Sequence, residues 1–201
     1  MDKSSIIWYG KTRHPIFIVE GPDGAGKTTL CETLKGLVGA RYIHLTYRFK
    51  DKMHLYHGAA FNLAVRWSEK QPVIIDRWWP SEIVYADAYR GGSKFAKHYL
   101  LLDYMAQAAG TMYVVCLPED RELYLNHFKR LQAEREEMYD EGLDRVYDGY
   151  VEAFSFLGLR ENAVRYDIFR NWASDEISRE LRLRNMCQLL LEYTSDYRST
   201  L

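Results

Sequence analysis

The chain has 201 residues, of which 47% are hydrophobic and 14% aromatic, a composition that suits one globular domain with a single core. Its formal net charge of −1 argues against a general nucleic-acid-binding role, because proteins that grip a phosphate backbone usually carry a basic excess. Cys31, Cys116 and Cys187 have no zinc or redox spacing, so we expect free thiols in a reducing compartment. The first ten residues are too weakly apolar for a signal peptide, and no run approaches the roughly 18 apolar residues of a membrane span. We therefore expect a cytoplasmic protein with no membrane partner.

Short apolar runs rich in Val, Ile and Tyr alternate with longer helical patterns along the chain. The predicted strands are residues 16–19, 42–45, 73–75, 112–117 and 164–166. The predicted helices are residues 27–37, 54–68, 95–109, 143–157 and 175–193. Strands that alternate with helices predict a parallel sheet covered on both faces, with ligands bound beyond the carboxyl ends of the strands.

Residues 21–28 read Gly-Pro-Asp-Gly-Ala-Gly-Lys-Thr and match the phosphate-binding pattern G-x-x-x-x-G-K-[ST] in full. The glycines let successive backbone N–H groups face an anion at the start of the following helix. Lys27 can reach the β- and γ-phosphates, and the Thr28 hydroxyl can ligate Mg²⁺. The sequence therefore predicts a site for ATP and Mg²⁺. The predicted contact residues are Gly21, Asp23, Gly24, Ala25, Gly26, Lys27, Thr28 and Thr29.

A second chemical signal lies at the end of the third predicted strand, where Asp76 and Arg77 follow an apolar run. An acid at the tip of a strand beside the phosphate loop is suitably placed to hold the Mg²⁺ hydration shell. Arg77 can bind a phosphate group through two parallel hydrogen bonds. The predicted metal residues are therefore Thr28 and Asp76.

Three segments together resemble the thymidylate kinase family. Residues 20–29, E-G-P-D-G-A-G-K-T-T, resemble its E-G-x-D-G-x-G-K-T-T loop. Residues 76–81, D-R-W-W-P-S, resemble its D-R-[YHW]-x-x-S segment, and residues 64–69, A-V-R-W-S-E, resemble its A-N-R-x-E helix. The resemblance implies a P-loop NTPase α/β three-layer sandwich, with a five-stranded parallel sheet in the order 2-3-1-4-5 and helices on both faces. It also implies a single domain over 1–201 with an N-terminal extension at 1–14, a short lid at about 129–142, and a homodimer.

The same resemblance implies a role for each substrate residue. Asp23 would lie near the sugar 3′-hydroxyl, and Arg77 would hold the acceptor phosphate. Trp78 would crowd the sugar 2′ position and favour deoxyribose, while Tyr85 would line the base pocket. The other implied contacts are Arg66 to a base carbonyl, Phe49 and Lys52 in the phosphate-proximal loop, and Tyr139 in the lid.

The sequence departs from the family at three places, one of which is the stretch between Lys52 and the helix with Arg66, which is short for the family. Asn62 stands four residues before Arg66, where the family has a Phe that stacks on thymine. Residues four apart share a helix face, so the Asn62–Arg66 pair could read a base edge more polar than thymine. In the lid, Met138 stands where the family often has Arg, and Arg135 is the nearest charge that could swing over the transferring phosphoryl group, with Lys129 and Arg130 in reserve. A solvated helix face explains Arg135 equally well.

Three functions are compatible with these residues. In the first, the chain phosphorylates a deoxynucleoside monophosphate, thymidylate or a related pyrimidine, with Lys27, Asp76, Arg77 and Arg135 as catalytic residues. In the second, the acceptor is the hydroxyl of a nucleoside or of a hydroxymethylpyrimidine in DNA, and Asp76 or Asp23 takes its proton. Only the second involves a nucleic-acid partner. In the third, the chain binds ATP without catalysis.

Overall fold

The computed structural model describes residues 14–46, 52–94, 96–135, 142–157, 162–169 and 176–199. Within these residues the strands are β1 (Ile16–Glu20), β2 (Arg41–His44), β3 (Val73–Asp76), β4 (Met112–Cys116) and β5 (Ala163–Tyr166). All five predicted strands are confirmed, and each end lies within one residue of its predicted position.

The strands form one parallel sheet in the order β2-β3-β1-β4-β5, which confirms the predicted topology. β1, β3 and β4 are buried along their whole length, as expected for inner strands of a sheet that is covered on both faces. In the register of the sheet, Asp76 of β3 pairs with Val19 of β1 on one side and with His44 of β2 on the other. The carboxyl ends of these three strands therefore meet at Asp76.

The helices among the described residues include all five that the sequence predicts. They are α1 (Lys27–Val38), α2 (Met53–Ser68), α3 (Trp79–Arg90), α4 (Tyr99–Ala108), α5 (Arg121–Glu134), α6 (Gly142–Leu157) and α7 (Glu176–Ser199). A short 3-10 turn, Ala96–His98, replaces the first turn of the predicted helix at 95–109. The sequence analysis assigns no helix to α3 or α5.

Two glycines allow α6 to pack closely on α3. A Cβ atom at Gly149 would lie 3.0 Å from Val84, and one at Gly142 would overlap the ring of Tyr89. The close approach fixes α3 against α6, and α3 begins three residues after the end of β3. One face of α3 therefore lies beside the carboxyl ends of the strands.

None of the helices in the described part of the chain is long and apolar enough to cross a membrane. Residues 1–13 of the predicted N-terminal extension and residues 136–141 of the predicted lid lie outside the described residues. The single domain over 1–201 stays a prediction.

Candidate active site

The loop between β1 and α1 has the backbone that an anion-binding turn requires. Gly24 and Gly26 have φ angles of 76° and 83°, in the left-handed region that glycine adopts without strain. Gly26 is also the N-cap of α1, so the first N–H groups of that helix are open to a ligand. Gly21 is required for a different reason, because a Cβ atom there would collide with the carbonyl oxygen of Cys116.

Lys27 lies inside this loop and is only 6% exposed. Its Nζ donates a hydrogen bond to the Pro22 carbonyl oxygen at 2.7 Å and lies 3.8 Å from a carboxylate oxygen of Asp23. Burial, with a further contribution from the charge of Arg77, lowers the pKa of Lys27 to about 8. The ammonium group is thus poorly solvated, and a phosphate group would compensate it better than the loop alone does.

Asp76 is the buried acid at the end of β3. Its Oδ2 accepts hydrogen bonds from the Tyr42 hydroxyl at 2.5 Å and, in the tautomer that carries the proton there, from His44 Nδ1 at 2.9 Å. Its Oδ1 is buried and has no hydrogen-bond partner in the described part of the chain. Oxygen ligands from one carboxylate and one hydroxyl are typical of Mg²⁺ bound with a nucleotide, so Asp76 and Thr28 fit the expected ion.

Arg77 has a φ angle of 67°, which is unusual for a residue with a side chain. Its guanidinium donates to Asp23 and lies over the ring of Tyr85, 5.0 Å from the ring centroid. The Tyr85 hydroxyl donates to the other oxygen of Asp23 at 2.9 Å. Although burial alone would raise the pKa of Asp23, the charges of Arg77 and Lys27 outweigh it and lower that pKa. Asp23 therefore stays ionised and keeps Arg77 in one orientation.

Two cavities meet at this cluster. The first, called here the phosphate cavity, has a volume of about 560 Å³. It is lined by Asp23, Gly24, Gly26, Lys27, Thr28, Thr29, His44, Asp76, Arg77, His127, Leu131, Arg135, Ile168 and Phe169. The second, called the acceptor cavity, has a volume of about 410 Å³. It is lined by Asp23, His44, Leu45, Thr46, Met53, His57, Arg77, Trp78, Ser81, Glu82, Tyr85, Tyr89 and Arg90. Asp23, His44 and Arg77 line both cavities, so ligands in the two would be neighbours.

Glu20 fixes the strand end on which this arrangement depends. Its carboxylate is fully buried and accepts hydrogen bonds from the Trp78 N–H at 2.5 Å, the Ser81 hydroxyl at 2.6 Å and the Tyr150 hydroxyl at 3.0 Å. These bonds tie β1 to the start of α3 and to α6. Burial nevertheless raises the pKa of Glu20, because an ionised carboxylate is costly without water. The family segments include Glu20 and Ser81, but sequence reasoning gave neither a role.

Most of the predicted phosphate-binding residues come together in the structure. Six of the eight line the phosphate cavity, and the other two, Gly21 and Ala25, lie buried in the same loop. Asp76 and Arg135 also line the phosphate cavity, which brings the predicted lid arginine to the loop. His127 and Phe169 line this cavity as well, and no sequence motif marked them.

The structure places the two predicted base contacts away from the acceptor cavity. Asn62 and Arg66 do not line the acceptor cavity, and Arg66 is exposed. α2 begins at the cavity with Met53 and runs away from it, so Arg66 lies nine residues, or about 14 Å of helix, beyond His57. The far end of α2 lies at the opposite, amino-terminal ends of the strands, where the His14 N–H donates to the Ser68 carbonyl oxygen just before β1.

The other substrate predictions have mixed outcomes. Trp78 and Tyr85 line the acceptor cavity as expected, and Phe61 stacks on Trp78 at 4.9 Å between ring centroids. Lys52 is exposed at the start of α2 and lines neither cavity, because the inward residue of that turn is Met53. Phe49 and Tyr139 lie outside the described residues.

Comparison with known proteins gives structural likenesses only. No family model and no curated protein matches the sequence. The YorR protein of Bacillus subtilis, solved in complex with phosphorylated GDP, is 21% identical with a TM-score of 0.62, over 86% of this chain and 96% of that one. A deoxyadenosine kinase from M. mycoides with bound dATP is 12% identical with a TM-score of 0.50, over 86% and 99%. A thymidylate kinase from Candida albicans is 14% identical with a TM-score of 0.48, over 78% and 84%.

The first two likenesses, together with the strand order and the phosphate-binding loop, establish the P-loop NTPase α/β fold. The predicted resemblance to P-loop nucleotide kinases is confirmed at this level. Because proteins with one fold can act on different substrates, the substrate of this chain has to be inferred from the site itself.

Proposed function

We propose that this chain is a kinase that transfers the γ-phosphoryl group of ATP to a deoxynucleoside monophosphate and yields the diphosphate. The observation that carries the proposal is the junction of the two cavities at Asp23, His44 and Arg77. A nucleotide in the acceptor cavity would present its phosphate at this junction, next to the γ-phosphate held by the loop. Direct transfer requires this adjacency of donor and acceptor.

The charges around the junction suit a dianionic acceptor. A phosphate monoester has a second pKa near 6, so at pH 7 it attacks without a general base. Lys27 and Arg135 would neutralise the transferring group, and Arg77 would orient the acceptor phosphate. Thr28 and Asp76 would hold Mg²⁺, which neutralises charge on the phosphates when it is bound. Catalysis then consists of positioning and charge neutralisation.

The acceptor cavity has features of a deoxynucleotide pocket. Tyr85 is held by Asp23, so its ring is a rigid group at the cavity, and Trp78, which is fully buried in the wall, supports the cavity from behind. The deoxyadenosine kinase and the YorR protein, whose structures contain dATP and phosphorylated GDP, support a nucleotide or nucleoside as the ligand class. Thymidylate or a related pyrimidine is the acceptor that the family resemblance favours.

A second candidate function follows from His44. Its Nδ1 lies 2.9 Å from Asp76, and its ring lines both cavities. If the acceptor is a hydroxyl, the oxygen forms a bond to the γ-phosphorus as the bond to ADP breaks, and its proton would pass to His44 Nε2. This arrangement suits a nucleoside or a hydroxymethylpyrimidine, free or in DNA. Asp23 is a poorer base, because Arg77 and Tyr85 bind its two oxygens.

An ATP-consumption assay distinguishes these functions. The acceptors are the four deoxynucleoside monophosphates, hydroxymethyl-dUMP, thymidine and DNA that contains hydroxymethyluracil. Conversion of one free monophosphate to a diphosphate supports the leading proposal, whereas turnover only on thymidine or on DNA supports the hydroxyl acceptor.

Two lysine variants complete the test. Lys27→Ala removes the buried ammonium, and Lys70→Ala removes an exposed lysine just before β3 as the matched control. Loss of turnover in Lys27→Ala alone supports catalysis at the loop. ATP binding by the wild type without turnover on any acceptor would favour a non-catalytic nucleotide-binding role.

A further inference from the structure

The acceptor cavity contains an ion pair that the proposed transfer does not use. Arg90 Nη2 donates to Glu82 Oε2 at 2.8 Å, and the Ser93 hydroxyl donates to Glu82 Oε1 at 3.3 Å. The Glu82 side chain is 8% exposed and that of Arg90 is 28% exposed. Both residues line the acceptor cavity.

The pair belongs to the face of α3 that forms one wall of the cavity. Ser81, Glu82, Tyr85 and Tyr89 follow one another at helical spacing and therefore share this face. Tyr85 and Tyr89 stack at 6.1 Å between ring centroids, which places two aromatic rings beside the ion pair. Aromatic rings next to fixed hydrogen-bonding groups are the usual form of a nucleobase pocket.

The geometry of the pair is unlike that of an ordinary helix ion pair. Ion pairs that stabilise helices join residues three or four apart, whereas Glu82 and Arg90 are eight apart, about 12 Å of helix rise. Arg90 reaches back along the helix, and it also contacts the Glu82 carbonyl oxygen at 3.3 Å. Because desolvation offsets most of the attraction in a buried pair, stability gives a weak reason for this arrangement.

We propose that Glu82 and Arg90 read the base of the acceptor nucleotide, in place of Asn62 and Arg66. The inference rests on the proposed function, since it assumes a nucleotide in the acceptor cavity. The Arg90 guanidinium has only donors and suits a ring carbonyl oxygen, whereas the Glu82 carboxylate accepts from a neighbouring ring N–H. A base with an adjoining carbonyl and ring N–H satisfies both groups. The ligand class is therefore the keto bases, namely thymine, uracil and guanine.

Glu82→Gln tests this reading because it keeps the size of the side chain and replaces one acceptor oxygen with an N–H donor. The steady-state kcat/KM is measured for thymidylate, dUMP, dGMP, dCMP and dAMP at saturating ATP. We expect the wild type to prefer keto acceptors at least tenfold. In the variant we expect kcat/KM for keto acceptors to fall at least tenfold, mainly through KM, while the KM for ATP stays within twofold. Equal losses for all five acceptors would overturn the inference.

Arg90→Lys supplies a second variant that keeps the charge and loses the planar fork. It should also lower the ratio of kcat/KM for the keto acceptors to kcat/KM for dCMP and dAMP. The matched control is Arg184→Met, which removes a 2.8 Å ion pair with Glu180 on the exposed side of α7 and should leave the ratio unchanged. A ratio that stays at the wild-type value in both cavity variants would show that the pair is only structural.

Equilibrium calorimetry separates this inference from the proposed function. If the wild type phosphorylates none of the five acceptors, the proposed function fails, and binding of thymidylate and dCMP to the same variants then decides the base-reading role. Thymidylate binding that weakens at least tenfold in Glu82→Gln, with dCMP binding changed less, supports it. Thymidylate binding of equal strength in wild type and variant overturns it.

Discussion

Replacement of Lys27 by methionine should make the protein more stable while it abolishes phosphoryl transfer. The lysine is almost fully buried, and its charge is poorly compensated when no nucleotide is bound. Each unit of pKa corresponds to about 1.4 kcal/mol, so the fall in the pKa of Lys27 from 10.5 to about 8 represents about 3 kcal/mol of unfavourable free energy. The variant also loses the hydrogen bond to the Pro22 carbonyl oxygen, which offsets about 1 kcal/mol of the expected gain in stability. We expect Lys27→Met to raise the free energy of unfolding at pH 7 by about 2 kcal/mol.

The pH dependence gives the same prediction a second readout. Between pH 8 and pH 10.5 the unfolded chain holds the Lys27 proton and the folded protein has released it, so this group makes the protein more stable as pH rises. The variant should lose that increase. Urea denaturation followed by circular dichroism at pH 7, 8, 9 and 10 measures both effects. A variant that is less stable than the wild type at pH 7, or one with an unchanged pH dependence, would refute the reasoning.

Four further substitutions test the packing and the substrate contacts. Gly21→Ala should weaken ATP binding at least tenfold in a calorimetric titration, because the new Cβ would collide with the carbonyl oxygen of Cys116. Gly36 in α1 has open space around it, so Gly36→Ala should instead raise the free energy of unfolding by about 0.5–1 kcal/mol. Tyr150→Phe should lower the free energy of unfolding by about 1–3 kcal/mol in urea denaturation, since buried Glu20 loses a hydrogen-bond donor. Arg66→Ala should leave the KM of the acceptor within twofold in the kinase assay, and a tenfold rise would restore Arg66 to the acceptor site.

Short-range patterns predict much of the fold. Each strand is a compact apolar run, and the phosphate-binding loop lies between a strand and a helix, so local sequence specifies both. The two helices that were missed differ in how clearly the sequence marks them. α3 starts with Trp79 and Pro80, and its buried positions include the polar residues Ser81 and Glu82, so it shows no clear apolar period. In α5, Tyr124, Phe128 and Leu131 recur at helical spacing, so this helix could have been predicted.

The candidate site, like the fold, could be predicted from the sequence only in part. The loop residues and Asp76 follow from strand ends that parallel pairing brings together, so their proximity could be predicted. Which residues of α2 face the acceptor cavity could not be predicted, because this depends on which end of the helix meets the cavity. The segment with Arg66 resembles the family in sequence, but β3 begins only seven residues after Arg66, and this end of α2 lies near the amino-terminal ends of the strands. The ion pair of Glu82 and Arg90 joins residues eight apart and matches no short motif.

The most direct test of the central claim follows the γ-phosphoryl group itself. The wild-type protein is incubated with ATP labelled in the γ-phosphate, Mg²⁺ and each deoxynucleoside monophosphate, and the products are separated by chromatography. We predict that the label appears in the new β-phosphate of one deoxynucleoside diphosphate and that Lys27→Met yields none. Label that is released only as inorganic phosphate, with every acceptor present in turn, would contradict transfer between the two cavities.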